Sequence, residues 1–179
     1  LASLRLVAVA GEACPPAVVR AHHATLPTVA LHNEYGPSEA TVWATATELG
    51  PDAVTSVSIG RPVPGARVGI LRDGIHPVEV GGIGELCIGG PGIARGYLGR
   101  PELSDARFPS DPDSSGARFY RTGDRARWRP DGQLEFLGRL DDQLKIRGYR
   151  VEAGEVEQAL MAHTNVREAV VSLASVGNR

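Results

Sequence analysis

The residues best suited to chemistry are concentrated between positions 119 and 157. Asp124 ends the segment Tyr-Arg-Thr-Gly-Asp at 120–124, which predicts a loop that presents a carboxylate to a ligand. Residues 138–150 then combine glycines, aspartates and arginines with Lys145, the only lysine of the chain. Because a buried strand does not tolerate this density of charge, we predict a hinge that faces a ligand.

Lys145 is also distinctive by its type. Of the 19 lysines and arginines in the chain, all the others are arginine. A compact, mobile ammonium serves a different purpose from a rigid guanidinium fork, so we expect Lys145 to contact a phosphate or to assist closure of the hinge. The alternative is a single lysine left on a solvated strand.

A second group of chemical residues lies at 32–43, in the order His-Asn-Glu-Tyr-Gly-Pro-Ser-Glu-Ala-Thr-Val-Trp. Tyr-Gly-Pro at 35–37 predicts a tight turn that gathers an aromatic ring, a hydroxyl and two carboxylates. A nucleotide site needs such parts: a ring for the base, a donor for phosphate and an acid for Mg²⁺. A solvated turn whose tyrosine covers the core explains the same residues, and the pattern leaves both interpretations open.

The elements that position these groups begin with a strand, a helix and a strand. We predict a strand over residues 4–10, a helix over 15–24 that starts at a proline pair, and a strand over 28–31. This order is typical of a parallel α/β unit, in which ligands bind beyond the carboxyl ends of the strands. The loops after Ala10 and Leu31 are therefore expected to hold a site.

The middle of the chain predicts antiparallel structure. Glycines are frequent from 60 to 99, around strand-like segments at 66–71 and 85–88, which indicates tight turns in a small antiparallel β-barrel. No GxGxxG follows a strand there, so a dinucleotide fingerprint is absent. Strand, turn and strand are predicted from 127 to 136, where Pro-Asp-Gly provides the turn.

The end of the chain carries signals for two further elements. Apolar residues recur at helical spacing and predict a helix over 155–163. A final strand is predicted over 169–173.

Composition restricts the class of protein. At 179 residues, with 42% apolar and 5% aromatic residues, the chain is typical of a globular domain, or of one domain and part of another. A net charge of −2 argues against a nucleic-acid partner. Cys14 and Cys87 are far apart, which predicts neither a disulfide framework nor a zinc site. The apolar run at 6–10 is too short for a membrane span or signal sequence, so we expect a cytoplasmic protein without a membrane partner.

Four motifs, in order, resemble the adenylation domains of nonribosomal peptide synthetases, within the adenylate-forming superfamily that includes acyl-CoA synthetases and luciferases. They span nearly the whole chain and comprise NEYGPSEATV at 33–42, GELCIGG through GYL at 84–98, YRTGD at 120–124, and GRLDDQLKIRGYRVE at 138–152. Arg-Gly-Tyr-Arg at 147–150 favours the peptide-synthetase branch over the acyl-CoA branch.

The resemblance implies a fold of α/β and β parts. Residues 1–140 would be the distal part of the N-terminal AMP-binding body, with an α/β portion over about 1–57 and a β-barrel over about 58–140. Residues 141–179 would be the hinge and the truncated start of a small α+β C-terminal subdomain.

The resemblance also implies roles for the turn after the second strand. Tyr35, beside Gly36, would stack on adenine. Ser38 stands where the family usually has threonine, and its hydroxyl would donate to the α-phosphate. Glu39 would help to hold Mg²⁺. Asp124 would accept hydrogen bonds from both ribose hydroxyls.

The remaining implied roles fall on later residues and on a substrate pocket. Phe136 would lie beside the nucleotide, Arg139 would reach the ribose or phosphate, and Asp141 would be the hinge, with Lys145 in the same catalytic motif. The residues that would line an amino-acid pocket are Ala8, Ala10, Glu34, Val42 and Trp43. Glu34 hints at a polar or basic substrate group and Trp43 at a shortened pocket, but the sequence does not name the amino acid.

The complete enzyme would join ATP and an amino acid into an aminoacyl-adenylate and release pyrophosphate. After rotation of its small subdomain it would pass the acyl group to the phosphopantetheine thiol of a carrier domain, in a synthetase that also holds a condensation domain. The family's pyrophosphate-binding loop, amino-group aspartate and distal lysine have no counterpart in these 179 residues, so we expect the chain alone to be inactive. An acyl- or aryl-CoA ligase and a non-catalytic interaction module are the alternatives.

Overall fold

The structure, a computed structural model, describes residues 3–111, 116–141, 143–146 and 149–172, without the side chains of Lys145 and Arg150. It divides into two compact units, Leu1–Leu140 and Asp141–Arg179. No helix in the described ranges is long and apolar enough to cross a lipid bilayer.

The first unit opens with the predicted α/β arrangement. Its elements are β1 (Leu6–Val9), α1 (Pro16–Thr25), β2 (Ala30–Tyr35), β3 (Thr45–Glu48) and β4 (Arg61–Pro62). The four strands form a sheet in the order β1-β2-β3-β4, and β1 pairs parallel with β2 while the later pairs are antiparallel. The strand, helix and strand expected from the apolar pattern are thus confirmed, and α1 begins at a proline as predicted.

One face of this sheet is covered and the other is open. Val19 of α1 packs with Leu31 and Leu49 in a small apolar cluster on one face. On the opposite face, residues such as Leu6 and Ala8 are exposed. Successive residues of a strand point to opposite faces, which explains this alternation along β1.

The second sheet follows. Its strands are β5 (Arg67–Arg72), β6 (His76–Pro77), β7 (Ile83–Gly89), β8 (Phe119–Trp128) and β9 (Leu134–Arg139), in the order β6-β5-β7-β8-β9, and α2 (Pro101–Arg107) lies in the connection from β7 to β8. All pairs are antiparallel. Among the strands that the structure describes, this sheet is open, so the predicted closure into a barrel is not seen. The edge strand β6 has two residues and ends in Pro77, which lacks the N–H needed to continue a ladder.

The two sheets share a core. Tyr35 of β2, Ile70 of β5, Leu86 of β7 and Leu134 of β9 belong to one buried cluster. A backbone bridge between Gly60 and Leu134 ties the chain before β4 to the start of β9. The end of β2 is therefore held beside the second sheet.

The second unit contains a hairpin and a helix. Strands β10 (Gln143–Ile146) and β11 (Tyr149–Glu152) pair antiparallel, and α3 (Ala153–Met161) follows directly. The predicted helix is confirmed, two residues earlier than expected. The predicted final strand is wrong for residues 169–172, which form no strand, and Leu173 lies outside the described residues. A strand needs a neighbour to pair with, and in the hairpin each strand pairs with the other.

Candidate functional site

A tyrosine from the first sheet and an aspartate from the second meet in the interior of the first unit. The Tyr35 hydroxyl donates to Asp124 Oδ2 at 2.5 Å, across 89 residues of sequence. Tyr35 is 9% exposed and Asp124 is 4% exposed. A buried carboxylate requires such partners, since an unpaired one costs several kcal/mol.

Arg139 holds the other side of the same carboxylate. Its Nη1 donates to Asp124 Oδ1 at 2.8 Å and to the Thr122 carbonyl at 2.7 Å. Each carboxylate oxygen of Asp124 thus receives one hydrogen bond from these two partners. Because such an oxygen has two lone pairs, each can accept a further hydrogen bond from a ligand hydroxyl.

The segment 120–124 is not the predicted loop. It lies within β8, where the pairing with both neighbouring strands shifts register around Asp124. Gly123 adopts φ +73°, a left-handed conformation that glycine accepts without steric cost. The sequence signal Gly-Asp reflects a β-bulge inside a strand instead of a turn, and a bulge redirects the side chains beside it.

The environment of Tyr35 keeps its proton in place. Burial, followed by the charge of Asp124 and its hydrogen bond, raises the pKa of Tyr35 well above its ordinary value. Its hydroxyl therefore remains a donor to the carboxylate throughout the physiological pH range.

Phe136 completes this group, which we call the aspartate site: Tyr35, Asp124, Phe136 and Arg139. The Phe136 and Tyr35 rings lie 6.3 Å apart, centroid to centroid, and are inclined by 38°. The structure thus brings together four of the residues predicted to bind the nucleotide.

A cavity of about 210 Å³ adjoins Phe136 and is also lined by Ala13, Cys14 and Asn33. The first two follow β1, where the α/β pattern predicted a ligand loop. The volume is below the roughly 300–1,000 Å³ of whole-ligand pockets, so the cavity can take part of a nucleotide, such as its base.

The turn after β2 is tightly built. The Ala44 N–H donates to the Tyr35 carbonyl at 2.8 Å, which folds the chain back on itself. A Cβ on Gly36 would lie 2.7 Å from the Ala44 nitrogen, so only glycine fits there. Ser38 and Glu39 occupy a 3-10 turn directly afterwards.

Glu39 is anchored by Tyr97, which lies in the motif at 84–98 but received no role from the sequence. The Tyr97 hydroxyl donates to Glu39 Oε1 at 2.7 Å. Burial, with the hydrogen bonds to Tyr120 and Glu39, raises the pKa of Tyr97, so it stays protonated as a donor. Among the described residues no group of three His, Cys, Asp or Glu side chains could hold a metal ion.

The segment that follows is strained. Thr41 and Val42 have φ of 57° and 73°, which is unfavourable for β-branched residues and costs of order 1–3 kcal/mol each. The Thr41 hydroxyl donates to the Gly92 carbonyl at 2.5 Å. Val42 is 71% exposed and Trp43 is 48% exposed, and Trp43 borders a cavity of about 360 Å³.

The residues predicted to line a substrate pocket lie on the open face of the first sheet and on this strained segment. Ala8 pairs with His32 in the parallel register, so Ala8 and Glu34 share one face. Ala10 directly follows β1. Val42 and Trp43 belong to the loop after β2.

Asp141 and Lys145 belong to the second unit. Asp141 is its first residue, and Asp141 Oδ1 accepts the Gln143 N–H at 3.3 Å. The backbone of Lys145 pairs with that of Arg150 in the hairpin. The Lys145 side chain lies outside the described part of the chain, so its expected phosphate contact stays a prediction.

Sequence reasoning assigned no role to Glu85 and Thr122, although both lie in the quoted motifs; they shape the bulge beside Asp124. Glu85 Oε1 accepts the Gly123 N–H at 3.0 Å. The Thr122 hydroxyl accepts the Asp124 N–H at 2.9 Å and donates to the Leu86 carbonyl at 2.7 Å. A signal existed, because a glutamate inside the apolar strand 85–88 needs a specific partner.

Comparison with known proteins gives a matching family model and curated relatives. A family model described as "AMP-binding enzyme" matches residues 1–98. The chain is 49% identical over 174 residues to one of the plipastatin synthase proteins of Bacillus subtilis (strain 168), covering 96% of this chain and 7% of the relative. It is 43% identical to tyrocidine synthase 3 of Brevibacillus parabrevis, over 94% of this chain and 3% of the relative.

Solved structures agree with these relatives. The structure of IdnL1 superposes with a TM-score of 0.85 at 38% identity, covering 93% of this chain and 35% of that one. A second structure, holo-PA1221, is described as a nonribosomal peptide synthetase protein containing adenylation and PCP domains bound to a vinylsulfonamide inhibitor. It gives a TM-score of 0.83 at 32% identity, over 88% of this chain and 28% of that one. The chain thus spans a small part of its relatives' length.

Proposed function

The chain belongs to the family of AMP-binding enzymes, and we propose that it is part of the adenylation domain of a nonribosomal peptide synthetase. The complete domain joins ATP and an amino acid into an aminoacyl-adenylate and releases pyrophosphate. The observation that carries the proposal is the buried Asp124 carboxylate, held by Tyr35 and Arg139 in a chain with peptide-synthetase relatives.

Asp124 acts on the ribose. Its two oxygens each receive one hydrogen bond from Tyr35 or Arg139, and each keeps the capacity to accept one ribose hydroxyl. Hydrogen bonds to a carboxylate are short and strong. Because Tyr35 and Arg139 fix the orientation of the Asp124 carboxylate, it selects a ribose that carries both hydroxyls.

The base lies beside Phe136. The cavity of about 210 Å³ that adjoins this ring is lined by Asn33 and by the loop after β1. Tyr35 is 9% exposed; its ring adds to stacking on the base, and its hydroxyl contributes to ribose binding by holding Asp124.

The phosphates lie toward Ser38 and Glu39. The exposed Ser38 hydroxyl donates to the α-phosphate, and the Glu39 carboxylate that Tyr97 anchors is a ligand for Mg²⁺. One protein carboxylate suffices, because magnesium in nucleotide sites takes most of its other ligands from phosphates and water. When bound, the ion neutralises charge on the phosphate oxygens.

The second unit serves transfer. The division of the structure at Leu140 and Asp141 supports a hinge at Asp141, about which the small subdomain rotates after adenylate formation. Lys145, in the hairpin that follows, contacts phosphate or assists closure. The thiol of a carrier domain's phosphopantetheine then takes the aminoacyl group as a thioester, the acyl–phosphate bond breaks and AMP leaves. A condensation domain of the same synthetase is the further partner.

The substrate is an amino acid with a polar or basic side chain. Ala8, Ala10, Glu34, Val42 and Trp43 contribute to its pocket, with the Glu34 carboxylate as the polar contact and the Trp43 ring shortening the space. The names of the relatives favour amino-acid activation over an acyl- or aryl-CoA ligase. A cytoplasmic location stays a prediction.

The test is amino-acid-dependent ATP–pyrophosphate exchange by an adenylation domain that contains this chain. Asp124→Ala removes two charge-assisted hydrogen bonds to ATP, about 2–4 kcal/mol, and should raise the KM for ATP by roughly 30- to 1,000-fold. Asp105→Ala, an exposed aspartate of α2, is the matched control and should leave the KM unchanged.

An unchanged KM in Asp124→Ala, with the fold intact by circular dichroism, places this aspartate outside the nucleotide site. Absence of exchange in the unaltered domain with every amino acid tested, together with absence of ATP binding, supports the non-catalytic interaction module instead.

A further inference from the structure

A buried glutamate of β7 is paired with a partly exposed arginine of β8 beside the bulge. Glu85 of β7 is 6% exposed, and its Oε2 accepts hydrogen bonds from Arg121 Nε at 3.0 Å and Nη2 at 2.7 Å. Its other oxygen, Oε1, accepts the Gly123 N–H at 3.0 Å. Both oxygens of this carboxylate are thus engaged by β8, directly before Asp124.

The pairing of β7 with β8 explains why Gly123 needs this partner. Glu85 pairs with Arg125, and Cys87 pairs with Arg121, so the single β7 residue between them lies opposite the three β8 residues 122–124. Residues of a bulge leave the regular ladder, and their buried N–H groups must find other acceptors. For Gly123, which is buried and has φ +73°, that acceptor is the Glu85 carboxylate.

The contact reaches Asp124 through the backbone. The Gly123 carbonyl accepts the Leu140 N–H at 2.8 Å, so both backbone groups of Gly123 are fixed. Asp124 follows immediately, with its own N–H held by the Thr122 hydroxyl. The direction of the Asp124 carboxylate therefore depends on a bulge that Glu85 stabilises from the neighbouring strand.

We infer that Glu85 is a positioning residue for nucleotide selection: its carboxylate, paired with Arg121, holds the Gly123 bulge that aims Asp124 at the ribose hydroxyls. The inference rests on the proposed ribose-binding role of Asp124. Glu85 itself touches no substrate. Arg121 supplies the counter-charge that a buried carboxylate requires.

The experiment measures selection between ATP and its 2′-deoxy and 3′-deoxy forms by pyrophosphate exchange, in an adenylation domain containing this chain. The unaltered domain should prefer ATP by about tenfold or more, since each missing hydroxyl removes a hydrogen bond to a charged group. Glu85→Gln keeps the shape but cannot accept both sets of donors. It should reduce the preference to about threefold or less, with the KM for the amino acid unchanged.

Two further variants keep the result interpretable. Arg121→Met retains Glu85 and removes its counter-charge, and it should lower the preference to an intermediate value. Glu79→Gln, at an exposed glutamate before β7, is the matched control and should keep the full preference. In an Asp124→Ala background, Glu85→Gln should cause no further change in the preference for ATP over its deoxy forms, because both substitutions act on the same contact.

The outcomes separate the inference from the proposed function. If Glu85→Gln and Arg121→Met lower activity with ATP and both deoxy forms equally, Glu85 is merely structural and the inference is wrong. A full preference in both variants overturns it as well. If Asp124→Ala itself retains the preference for ATP, the proposed ribose role fails, and the inference fails with it.

Discussion

Tyr35→Phe isolates one hydroxyl at the centre of the site. The substitution keeps the ring, its packing in the shared core and its position 6.3 Å from Phe136. It removes only the donor that lies 2.5 Å from Asp124 Oδ2. Because Arg139 still contacts Oδ1 at 2.8 Å, the carboxylate loses one partner and keeps another.

The loss of folding stability caused by Tyr35→Phe follows from these contacts. A hydrogen bond to a charged group contributes about 1.5–3 kcal/mol, and the surviving Arg139 contact places this loss near the lower end, about 1.5–2 kcal/mol. The unfolding equilibrium constant should therefore rise by roughly 10- to 30-fold at pH 7. Tyr149→Phe, at a tyrosine that is 76% exposed, is the matched control and should change stability by less than about 0.5 kcal/mol.

The difference in free energy of unfolding between the unaltered domain and Tyr35→Phe should also depend on pH. Since burial and Asp124 raise the pKa of Tyr35, its stabilising effect is fully present below the ordinary tyrosine pKa of about 10 and is lost as pH rises towards the raised value. The gap in stability between the unaltered domain and Tyr35→Phe should be constant up to about pH 10 and should narrow above it.

The assay is urea unfolding of an adenylation domain that contains this chain, from about pH 7 to about pH 11, with both variants measured in parallel. Burial raises the pKa of Cys87 to about 12, but Cys87 is common to both proteins, so its contribution cancels in the difference. If the free energy of unfolding of Tyr35→Phe is within about 0.5 kcal/mol of that of the unaltered domain at pH 7, the Tyr35 hydroxyl does not stabilise the buried carboxylate. A gap that stays constant through the whole range contradicts the assigned cause of the pKa shift.

Three further predictions concern other parts of the chain. Asp141→Pro fixes φ at the proposed hinge, so adenylate formation measured by pyrophosphate exchange should persist while loading of the carrier thiol collapses; equal loss of both reactions contradicts the hinge. Val42→Gly relieves a left-handed valine that is mostly exposed, and it should raise the urea midpoint by the equivalent of about 1 kcal/mol, whereas a lower midpoint means the strain is compensated elsewhere. A hydrogen bond from Arg127 lowers the pKa of Glu135, so its stabilising effect is present above about pH 4.3 and is lost as pH falls through the lowered value. Glu135→Gln should therefore make the free energy of unfolding, measured by urea unfolding, fall less steeply as pH drops below about 4.3. An unchanged pH dependence contradicts this.

Local sequence patterns predicted those helices and strands that pack against segments close to them along the chain. The parallel unit of β1, α1 and β2 follows from short apolar runs and a proline pair, and the β8–β9 hairpin follows from its Pro-Asp-Gly turn. The helix α3 follows from its period.

The parts that could not be predicted depend on distant partners. Gly-Asp at 123–124 is a turn signal on its own, and it becomes a bulge because Glu85, 38 residues before Gly123, accepts the glycine N–H. Tyr35 and Asp124 were both identified, but their direct hydrogen bond joins two sheets across 89 residues, beyond any local pattern. The strand expected from 169 shows the opposite case: residues 169–172 are partly apolar but form no strand, and no described strand pairs with them.

The ribose-binding role of Asp124 is tested most directly by a crystal structure of an adenylation domain containing this chain, bound to a non-hydrolysable aminoacyl-adenylate analogue. Both ribose hydroxyls should lie within hydrogen-bonding distance of the Asp124 carboxylate, about 2.5–3.0 Å, while Tyr35 and Arg139 keep their contacts to it. A ribose bound elsewhere, with Asp124 contacting only Tyr35 and Arg139, would contradict the claim.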